Sequence, residues 1–271
     1  MTKPGRRFVG IALLLILVAL PQLLAAKGEA PTPRPLRVLF VGNSYTYVND
    51  LPFVVAVVAA ARGIEVDYGM LAEPNFALED HMRTGAYDRK LAEGWDYVVL
   101  QQGPSSLPQN RENLRFWSVR ASASARALGT RVVLFSAWPA RENLFTQMDA
   151  ELSYQLAARA ASGCIAPVAT AWRYARAELP NLDVYSGDDL HASEAGTLLA
   201  AHVIVRAFIA TRLALQPPDM AGAFEETWWQ PVLAQSDRLD AIARRAVADV
   251  APRCSFAKDG ETVAKPAREH R

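Results

Sequence analysis

Short apolar runs alternate with longer segments of helical periodicity through the middle of the chain. The apolar runs predict four strands and a weaker fifth, at 36–42, 64–70, 96–102, 131–138 and 164–169. The intervening segments have the length and spacing of apolar positions expected of helices: 51–62, 78–94, 111–129 and 141–162. After Ala192 the pattern is mostly helical, over 193–213 and 231–250.

This alternation indicates the fold class. Strands separated by helical segments are typical of parallel strands joined by crossover helices, which predicts a layered α/β domain with a mostly parallel sheet. No internal repeat and no second break in composition interrupts 36–256, so we expect one domain there. The segment 257–271, rich in Lys, Glu and Pro, is predicted to be a mobile tail.

The first residues have a different character. Three basic residues precede an apolar run at 8–20, and small residues follow at Ala25 and Ala26. This order is typical of an export signal, here 1–26, and the run is short for a membrane span, which needs about 20 residues. An uncleaved N-terminal anchor is the alternative, and membrane association is expected only in that case. A Pro-rich tether is predicted at 27–35.

Composition and charge narrow the possible functions. The 271 residues are 51% apolar and 21% charged, with formal net charge +1, which is ordinary for a globular protein. Removal of the signal takes away three basic residues and no acidic ones, so the net charge becomes −2. A slightly acidic chain with scattered basic residues gives no reason to expect nucleic acid as a partner.

The cysteines and histidines bear on compartment and metal binding. If the protein is exported to a periplasmic or extracellular location, Cys164 and Cys254 could form a disulfide, although two separate buried thiols fit the sequence equally well. Four histidines and no Cys-x-x-Cys make a structural zinc site improbable, and we expect neither a metal nor an organic cofactor.

Candidate catalytic residues lie where the predicted strands end. Ser44 follows the first strand, and Asp188 and His191 occupy a late loop. A serine hydroxyl needs a base to accept its proton, and His191 suits that task near neutral pH. Asp188, three positions earlier, could orient the imidazole; Asp189 competes for that role and could instead help Ser193 to start the next helix.

An oxyanion also needs hydrogen-bond donors. The N–H of Ser44, the loop at Asn75 and a side-chain amide from Gln102, with Gln101 as the alternative, are the candidates. Gly42 would allow the chain to leave the first strand sharply.

Other polar residues are expected to have structural roles. His81 should pack or cap locally, and His202 should be a core histidine. Ser105 and Ser106 are expected to form a polar turn, whereas Trp228 and Trp229 should pack against helices.

At these positions the chain resembles the SGNH or GDSL superfamily of serine esterases and lipases. The stretch VLFVGNSYT at 38–46 is similar to the nucleophile block Gly-Asp-Ser-x-Ser, with Asn43 in place of Asp, and SGDDLHASEAG at 186–196 is similar to the Asp-x-x-His block. The middle blocks differ, because LQQGPSS at 100–106 replaces the Gly-x-Asn-Asp block. The resemblance implies a three-layer α/β/α sandwich of flavodoxin-like SGNH architecture and hydrolysis of esters through an acyl-enzyme.

The sequence therefore predicts an exported serine hydrolase that cleaves carboxylic esters on a small molecule or a carbohydrate, with short acyl groups favoured. Two alternatives remain. The altered middle blocks fit a non-catalytic carbohydrate- or wall-binding protein with the same fold. An O-acyltransferase would use the same triad and pass the acyl group to a sugar hydroxyl instead of water.

Overall fold

The computed structural model describes residues 34–209 and 229–250, without the side chains of 208 and 209. The predicted signal, most of the tether and the tail lie outside these residues. Of the tether, only Arg34 and Pro35 are described, and the Arg34 guanidinium donates to both carboxylate oxygens of Asp96 at 2.7 and 2.6 Å. The described residues, from Arg34 onward, form one compact unit.

A five-stranded parallel sheet forms the centre of this unit. Its strands are β1 (Leu36–Gly42), β2 (Val66–Ala72), β3 (Tyr97–Leu100), β4 (Arg131–Phe135) and β5 (Cys164–Ala166), in the spatial order β2-β1-β3-β4-β5. Every neighbouring pair is parallel, and Gly42 lies opposite Ala72 at the end of β1. All carboxyl ends therefore lie at one edge, where such sheets bind ligands.

Helices cover both faces of the sheet. Those of the described residues are α1 (Ser44–Tyr47), α2 (Leu51–Ala60), α3 (Leu78–Arg83), α4 (Ala86–Leu91), α5 (Pro108–Ala127), α6 (Gln147–Ala160), α7 (Val168–Glu178), α8 (Glu194–Ile209), α9 (Gln230–Leu233) and α10 (Ser236–Val250), with 3₁₀ turns at Val48–Asp50 and Arg141–Thr146. Helices α2, α7, α8 and α10 pack in one group, and α3 to α6 pack in another.

The predicted three-layer α/β fold is confirmed, with differences in detail. The first strand has its predicted bounds, whereas the second lies two residues later, at Val66–Ala72. The single helix expected over 78–94 is two helices, because Gly85 between them has φ = 69°, which a helix does not allow. The last three strands end earlier than predicted, at Leu100, Phe135 and Ala166.

The core explains why the apolar runs marked the strands so well. The side chains of Val38, Leu39, Phe40 and Val41 are all fully buried, since both faces of β1 are covered by helices. A parallel sheet therefore appears in sequence as continuous apolar runs and not as an alternating pattern.

Other features of the described residues bear on the predictions made above. Cys164 is disulfide-bonded, and Cys254, the only other cysteine of the sequence, lies outside the described residues. In the described ranges no helix has the length and hydropathy of a membrane span. Trp229 is buried, as predicted, whereas Trp228 is outside the described residues.

Candidate active site

The turn that carries Ser44 is held by Asn43. Asn43 is the N-cap of the short helix α1, and its side-chain oxygen accepts a hydrogen bond from the Tyr45 N–H at 3.2 Å. Its side-chain nitrogen donates to the Phe76 carbonyl at 2.9 Å, which joins this turn to the loop after β2. An aspartate could not make the second bond as a carboxylate, which gives a physical reason for Asn43 at a position where the family block has Asp.

Gln101 lies directly beneath the same turn. It is fully buried, and its Oε1 accepts hydrogen bonds from the Asn43 N–H at 3.0 Å and from the Thr46 hydroxyl at 2.8 Å. A Cβ atom on Gly42 would lie 2.3 Å from this oxygen. The φ of Gly42 is not positive, so the glycine is needed to make room for Gln101 and not, as the sequence suggested, for an unusual backbone exit.

His81 supports the turn from another side. Its Nε2 lies 2.8 Å from the Gly42 carbonyl, to which it donates, and its ring packs against Phe76 with centroids 5.0 Å apart. Burial lowers the pKa of His81, so the ring is neutral at physiological pH. The predicted local packing role is confirmed, and the hydrogen bond ties His81 to Gly42, two residues before Ser44.

Asp188 and His191 lie together in a small hairpin-like loop. A bridge pairs Tyr185 with Ala192, and the Ser186 N–H donates to the His191 carbonyl at 2.9 Å. Within this loop Asp188 Oδ2 lies 2.6 Å from His191 Nδ1, while Asp188 Oδ1 accepts from the His191 N–H at 2.9 Å. The three-residue spacing thus closes one compact ring of hydrogen bonds.

The charge state of Asp188 determines how the imidazole is arranged. Hydrogen bonds from Ser186 and His191 hold the pKa of the Asp188 carboxyl well below its usual range. The carboxylate must accept, so Nδ1 of His191 carries the hydrogen and Nε2 of the neutral ring has the lone pair. Nε2 is buried and has no hydrogen-bond partner among the described residues, hence Ser44 is not hydrogen-bonded to it here. Catalytic hydrogen bonds often form only when substrate is bound.

The two ends of the candidate triad are tied to each other. Tyr45, next to Ser44, has its ring centroid 6.1 Å from that of His191. The Asn49 side-chain nitrogen donates to the Ala192 carbonyl and to the Thr197 hydroxyl, both at 2.9 Å. These contacts bring the segment after β1 and the loop before α8 to the same edge of the sheet, although about half of the chain separates them.

Asp189 has a different task from Asp188. Its Oδ1 accepts from Arg141 Nε at 2.6 Å, and Arg141 also donates to Asp183 at 2.7 Å. The backbone of Asp189 has φ = 58°, a left-handed conformation. The start of α8 is capped by Ser193, whose hydroxyl accepts from the Gly196 N–H at 3.1 Å. The suggestion that Asp189 helps to start this helix is therefore not supported by its contacts.

The predicted oxyanion donors differ in whether they already have hydrogen-bond partners. Gln102 uses its side-chain nitrogen on Ser105 Oγ at 3.0 Å and on Asn113 Oδ1 at 3.5 Å, while its oxygen accepts from the Leu78 N–H at 3.2 Å. Gln101 uses its oxygen on the Ser44 turn, and its nitrogen is buried with no partner in the described chain. The Ser44 N–H is at the first helical position, where no intrahelical acceptor exists.

Asn75 lies at the exposed tip of the loop after β2. Its φ of 63° is a left-handed conformation that asparagine tolerates better than most residues. The loop is fixed to the Ser44 turn by the bond from Asn43 to Phe76. The predicted residue is thus at the correct edge of the sheet.

Sequence reasoning missed the residues that hold the site together, namely Gln101 as a support, His81, Asn49 and Arg141. Their signal is weak, because single polar residues in loops and helices have many uses. In the described part of the chain no group of three His, Cys, Asp or Glu side chains is arranged to bind a metal ion.

Comparison with known proteins identifies solved structures that share this fold. No family model matches the sequence, nor does any curated protein. Among solved structures, a candidate SGNH hydrolase from Slackia heliotrinireducens matches with 26% identity and a TM-score of 0.55, over 64% of this chain and 98% of that one. The chain has the fold of the SGNH hydrolases. An acetyl xylan esterase from Geobacillus stearothermophilus shares the SGNH-like fold at 13% identity and a TM-score of 0.50, over 65% of this chain and 93% of that one.

Proposed function

We propose that the protein is an exported serine esterase that removes short acyl groups, such as O-acetyl groups, from carbohydrates. The observation that carries the proposal is the pairing of Asp188 with His191 Nδ1 at 2.6 Å, with Nε2 buried and unpaired beside the Ser44 turn. The likeness to an SGNH hydrolase at 26% identity supports hydrolytic chemistry, and the similar fold of the Geobacillus acetyl xylan esterase suggests acetyl groups on sugar as a substrate to test.

The proposed reaction proceeds in two acyl transfers. Ser44 Oγ attacks the ester carbonyl while His191 Nε2 accepts its proton, and the imidazolium then gives that proton to the departing alcohol. Asp188 holds the ring and stabilises its positive charge. Water, activated by the same nitrogen, attacks the acyl-enzyme, so the acid leaves and the Ser44 hydroxyl is restored. The scheme uses only side chains of this protein and water.

Stabilisation of the oxyanion is assigned first to main-chain N–H groups, those of Ser44 and the Asn75 loop. Gln102 remains the proposed side-chain donor, and its contacts define the condition: its nitrogen must leave Ser105 or Asn113 to reach a bound substrate. A donor of this kind typically contributes roughly 3–4 kcal/mol to the transition state.

Export is supported by the basic and apolar segments at the start of the sequence and by the disulfide bond of Cys164. Disulfides persist mainly in oxidising compartments such as the periplasm or the extracellular space.

The test combines labelling with turnover. Wild type should hydrolyse short-chain esters and be labelled by an ethyl phosphonate probe at Ser44, and Ser44→Ala should lose both properties while its melting temperature stays the same. Ser124→Ala removes a hydroxyl on α5, far along the chain from the site, and should behave as wild type. Turnover that persists in Ser44→Ala contradicts the assignment of the nucleophile. Absence of both labelling and turnover in wild type favours the non-catalytic alternative, and acyl transfer to added sugar in preference to water favours the acyltransferase.

A further inference from the structure

A cleft that the proposed mechanism does not use opens beside the candidate triad. Its volume is about 410 Å³, and it is lined by Tyr45, Pro104, Ser105, Ser106, Leu107, Asn110, Pro139, Ala140, Asn143, Phe145, Thr146 and Leu190. Tyr45 follows Ser44, and Leu190 precedes His191, so the cleft borders the two segments that carry the candidate nucleophile and base. Small-molecule sites commonly have volumes of about 300–1,000 Å³.

One wall of the cleft is fastened to the loop that carries His191. This wall, residues 139–146, is held by Arg141, which bonds Asp189 and Asp183. At the start of this wall, Trp138 Nε1 donates to the Leu190 carbonyl at 3.0 Å and the Tyr185 hydroxyl donates to the Pro139 carbonyl at 2.7 Å. A molecule bound against this wall would therefore be held at a defined position relative to the imidazole, which is how binding far from the reacting atoms assists catalysis.

The chemistry of the lining excludes several occupants. None of the lining side chains carries a charge, so a phosphate-bearing or anionic ligand would find no counter-charge there. Polar groups are nevertheless frequent. Ser106, Thr146, Asn110 and Asn143 all line the cleft, and each has a polar side chain. A hydrocarbon chain could not form hydrogen bonds with these polar side chains, so it would be a poor occupant of the cleft.

Phe145 supplies an apolar surface among these polar groups. It lies in the 3₁₀ turn Arg141–Thr146 and is 82% exposed, the most exposed of the large apolar side chains in the described residues. Leu107, on the other wall, is 51% exposed. A flat aromatic face next to amides matches a ligand with one apolar face and a rim of hydroxyls, which is the shape of a neutral sugar ring.

Taken with the proposed esterase function, on which this inference rests, the geometry points to a carbohydrate subsite: we propose that the cleft binds a neutral sugar ring of the alcohol half of the ester. In this site Phe145 stacks on the ring and the Asn143 amide bonds its hydroxyls. Asn143 is available for this because its side-chain nitrogen has only a long contact of 3.5 Å, to Glu142. Both residues thus determine specificity for the alcohol and take no part in the proton transfers.

The kinetic test follows acid release in a pH-stat from three kinds of substrate. They are ethyl acetate, ethyl octanoate and a neutral oligosaccharide that carries O-acetyl esters, built from xylose or from N-acetylglucosamine. Phe145→Ala should lower kcat/KM for the acetylated oligosaccharide at least about tenfold, mainly through KM, because burial of the ring against the sugar is lost. Its effect on ethyl acetate should stay within about twofold. Phe145→Trp should restore the oligosaccharide activity, and Asn143→Ala should reproduce part of the loss.

The matched control is Phe116→Ala. Phe116 is 50% exposed on α5, packs against Trp117 and does not line the cleft. Its replacement should therefore leave kcat/KM unchanged for all three substrates. Three results for Phe145→Ala would overturn the sugar subsite: an equal loss of kcat/KM for all substrates, an unchanged kcat/KM for the oligosaccharide, or a selective loss of kcat/KM for ethyl octanoate. The last result would identify an acyl-chain site.

A binding experiment separates this inference from the proposed function. Xylotetraose and chitotetraose are titrated into Ser44→Ala by calorimetry, with and without Phe145→Ala. Binding of either sugar that is weakened by Phe145→Ala supports the subsite even if wild type hydrolyses no ester, in which case only the esterase proposal fails. Ester hydrolysis by wild type, with neither sugar bound and no oligosaccharide effect of Phe145→Ala, rejects the subsite and leaves the esterase standing. The sugar that binds identifies the carbohydrate source.

Discussion

At the scale of single residues, the candidate site depends on neighbours in sequence that do different things. Asp188 holds the imidazole of His191 at 2.6 Å, whereas Asp189 holds Arg141 at the same distance. Gln101 supports the Ser44 turn, whereas Gln102 bonds the turn that follows β3. Gln101 and Gln102 directly follow β3, and consecutive residues of an extended chain point to opposite sides. Asp188 and Asp189 lie instead in a tight turn, where Asp189 has φ = 58°.

Replacing each of the two aspartates should separate their roles. Asp188→Asn keeps an acceptor for the main-chain N–H groups but favours the wrong tautomer of His191, and kcat for a short ester should fall by up to about 10⁴-fold. Asp189→Asn weakens an exposed contact to Arg141 and should change kcat by less than about threefold. Steady-state kinetics on both variants, with melting curves to verify folding, gives the comparison. A larger loss in Asp189→Asn would show that the orienting carboxylate has been misassigned.

Replacing Gln101 tests whether the turn beneath the nucleophile matters. Gln101→Leu leaves the Asn43 N–H and the Thr46 hydroxyl without their buried acceptor, at a cost of about 1–3 kcal/mol for each group. We expect a lower melting temperature and a lower kcat, since Ser44 lies between those two residues.

Gln102→Ala, measured beside it, should lower kcat with little change in KM if Gln102 reaches the oxyanion. If Gln102→Ala keeps the full rate, Gln102 is not the oxyanion donor.

At the scale of elements, the site is an assembly of two distant segments on one sheet edge. The Ser44 turn follows β1, and the Asp188–His191 loop precedes α8. Asn49 joins them through bonds to Ala192 and Thr197, and its φ of 55° places its amide toward that loop. The relative position of nucleophile and base therefore depends in part on this side chain and its two hydrogen bonds, together with the packing of Tyr45 on His191 and of α2 on α8.

A substitution at Asn49 should loosen this assembly. Asn49→Gly keeps the left-handed backbone accessible and removes only the side-chain bonds, so the expected stability loss is about 1–3 kcal/mol. In a sample that stays folded, this stability loss alone would leave kcat unchanged. We nevertheless expect kcat for a short ester to fall, because the imidazole and the hydroxyl are no longer held together. Kinetics well below the melting temperature measures this effect. An Asn49→Gly enzyme with lowered stability and unchanged kcat would mean that other contacts align the triad.

At the scale of the whole molecule, a buried charged cluster joins helices on the face of the sheet that carries α8. Asp240 of α10 accepts from Arg62, after α2, at 2.5 Å and from Arg206 of α8 at 2.8 Å. His202 of α8 is fully buried beside them, with Nε2 3.1 Å from the Ser236 hydroxyl. The predicted core role of His202 is confirmed. Burial lowers the pKa of His202 to about 3.

This cluster predicts how stability depends on pH. In the unfolded chain a histidine has a pKa near ~6.5, so between about pH 6.5 and pH 3 the unfolded state binds a proton that folded His202 does not. The contribution of neutral His202 is complete above that window, and stability is lost as pH falls through it, by at most about 1.4 kcal/mol per pH unit. His202→Gln should therefore lose less stability than wild type between pH 7 and pH 5 in urea denaturation. Equal losses in both proteins would count against a neutral buried His202.

The sequence by itself determined the parallel sheet and the identities of Ser44, Asp188 and His191 as candidates. Continuous apolar runs mark buried strands wherever they lie, and a three-residue spacing allows Asp188 and His191 to meet within one tight loop. Tertiary structure decided what local pattern does not contain: that Gln101 supports the nucleophile turn, that Asn49 joins two segments far apart in sequence, and that Phe145 lies in a cleft beside His191. Those relations depend on side-chain direction and on distances between remote segments, which arise only when helices close both faces of the sheet.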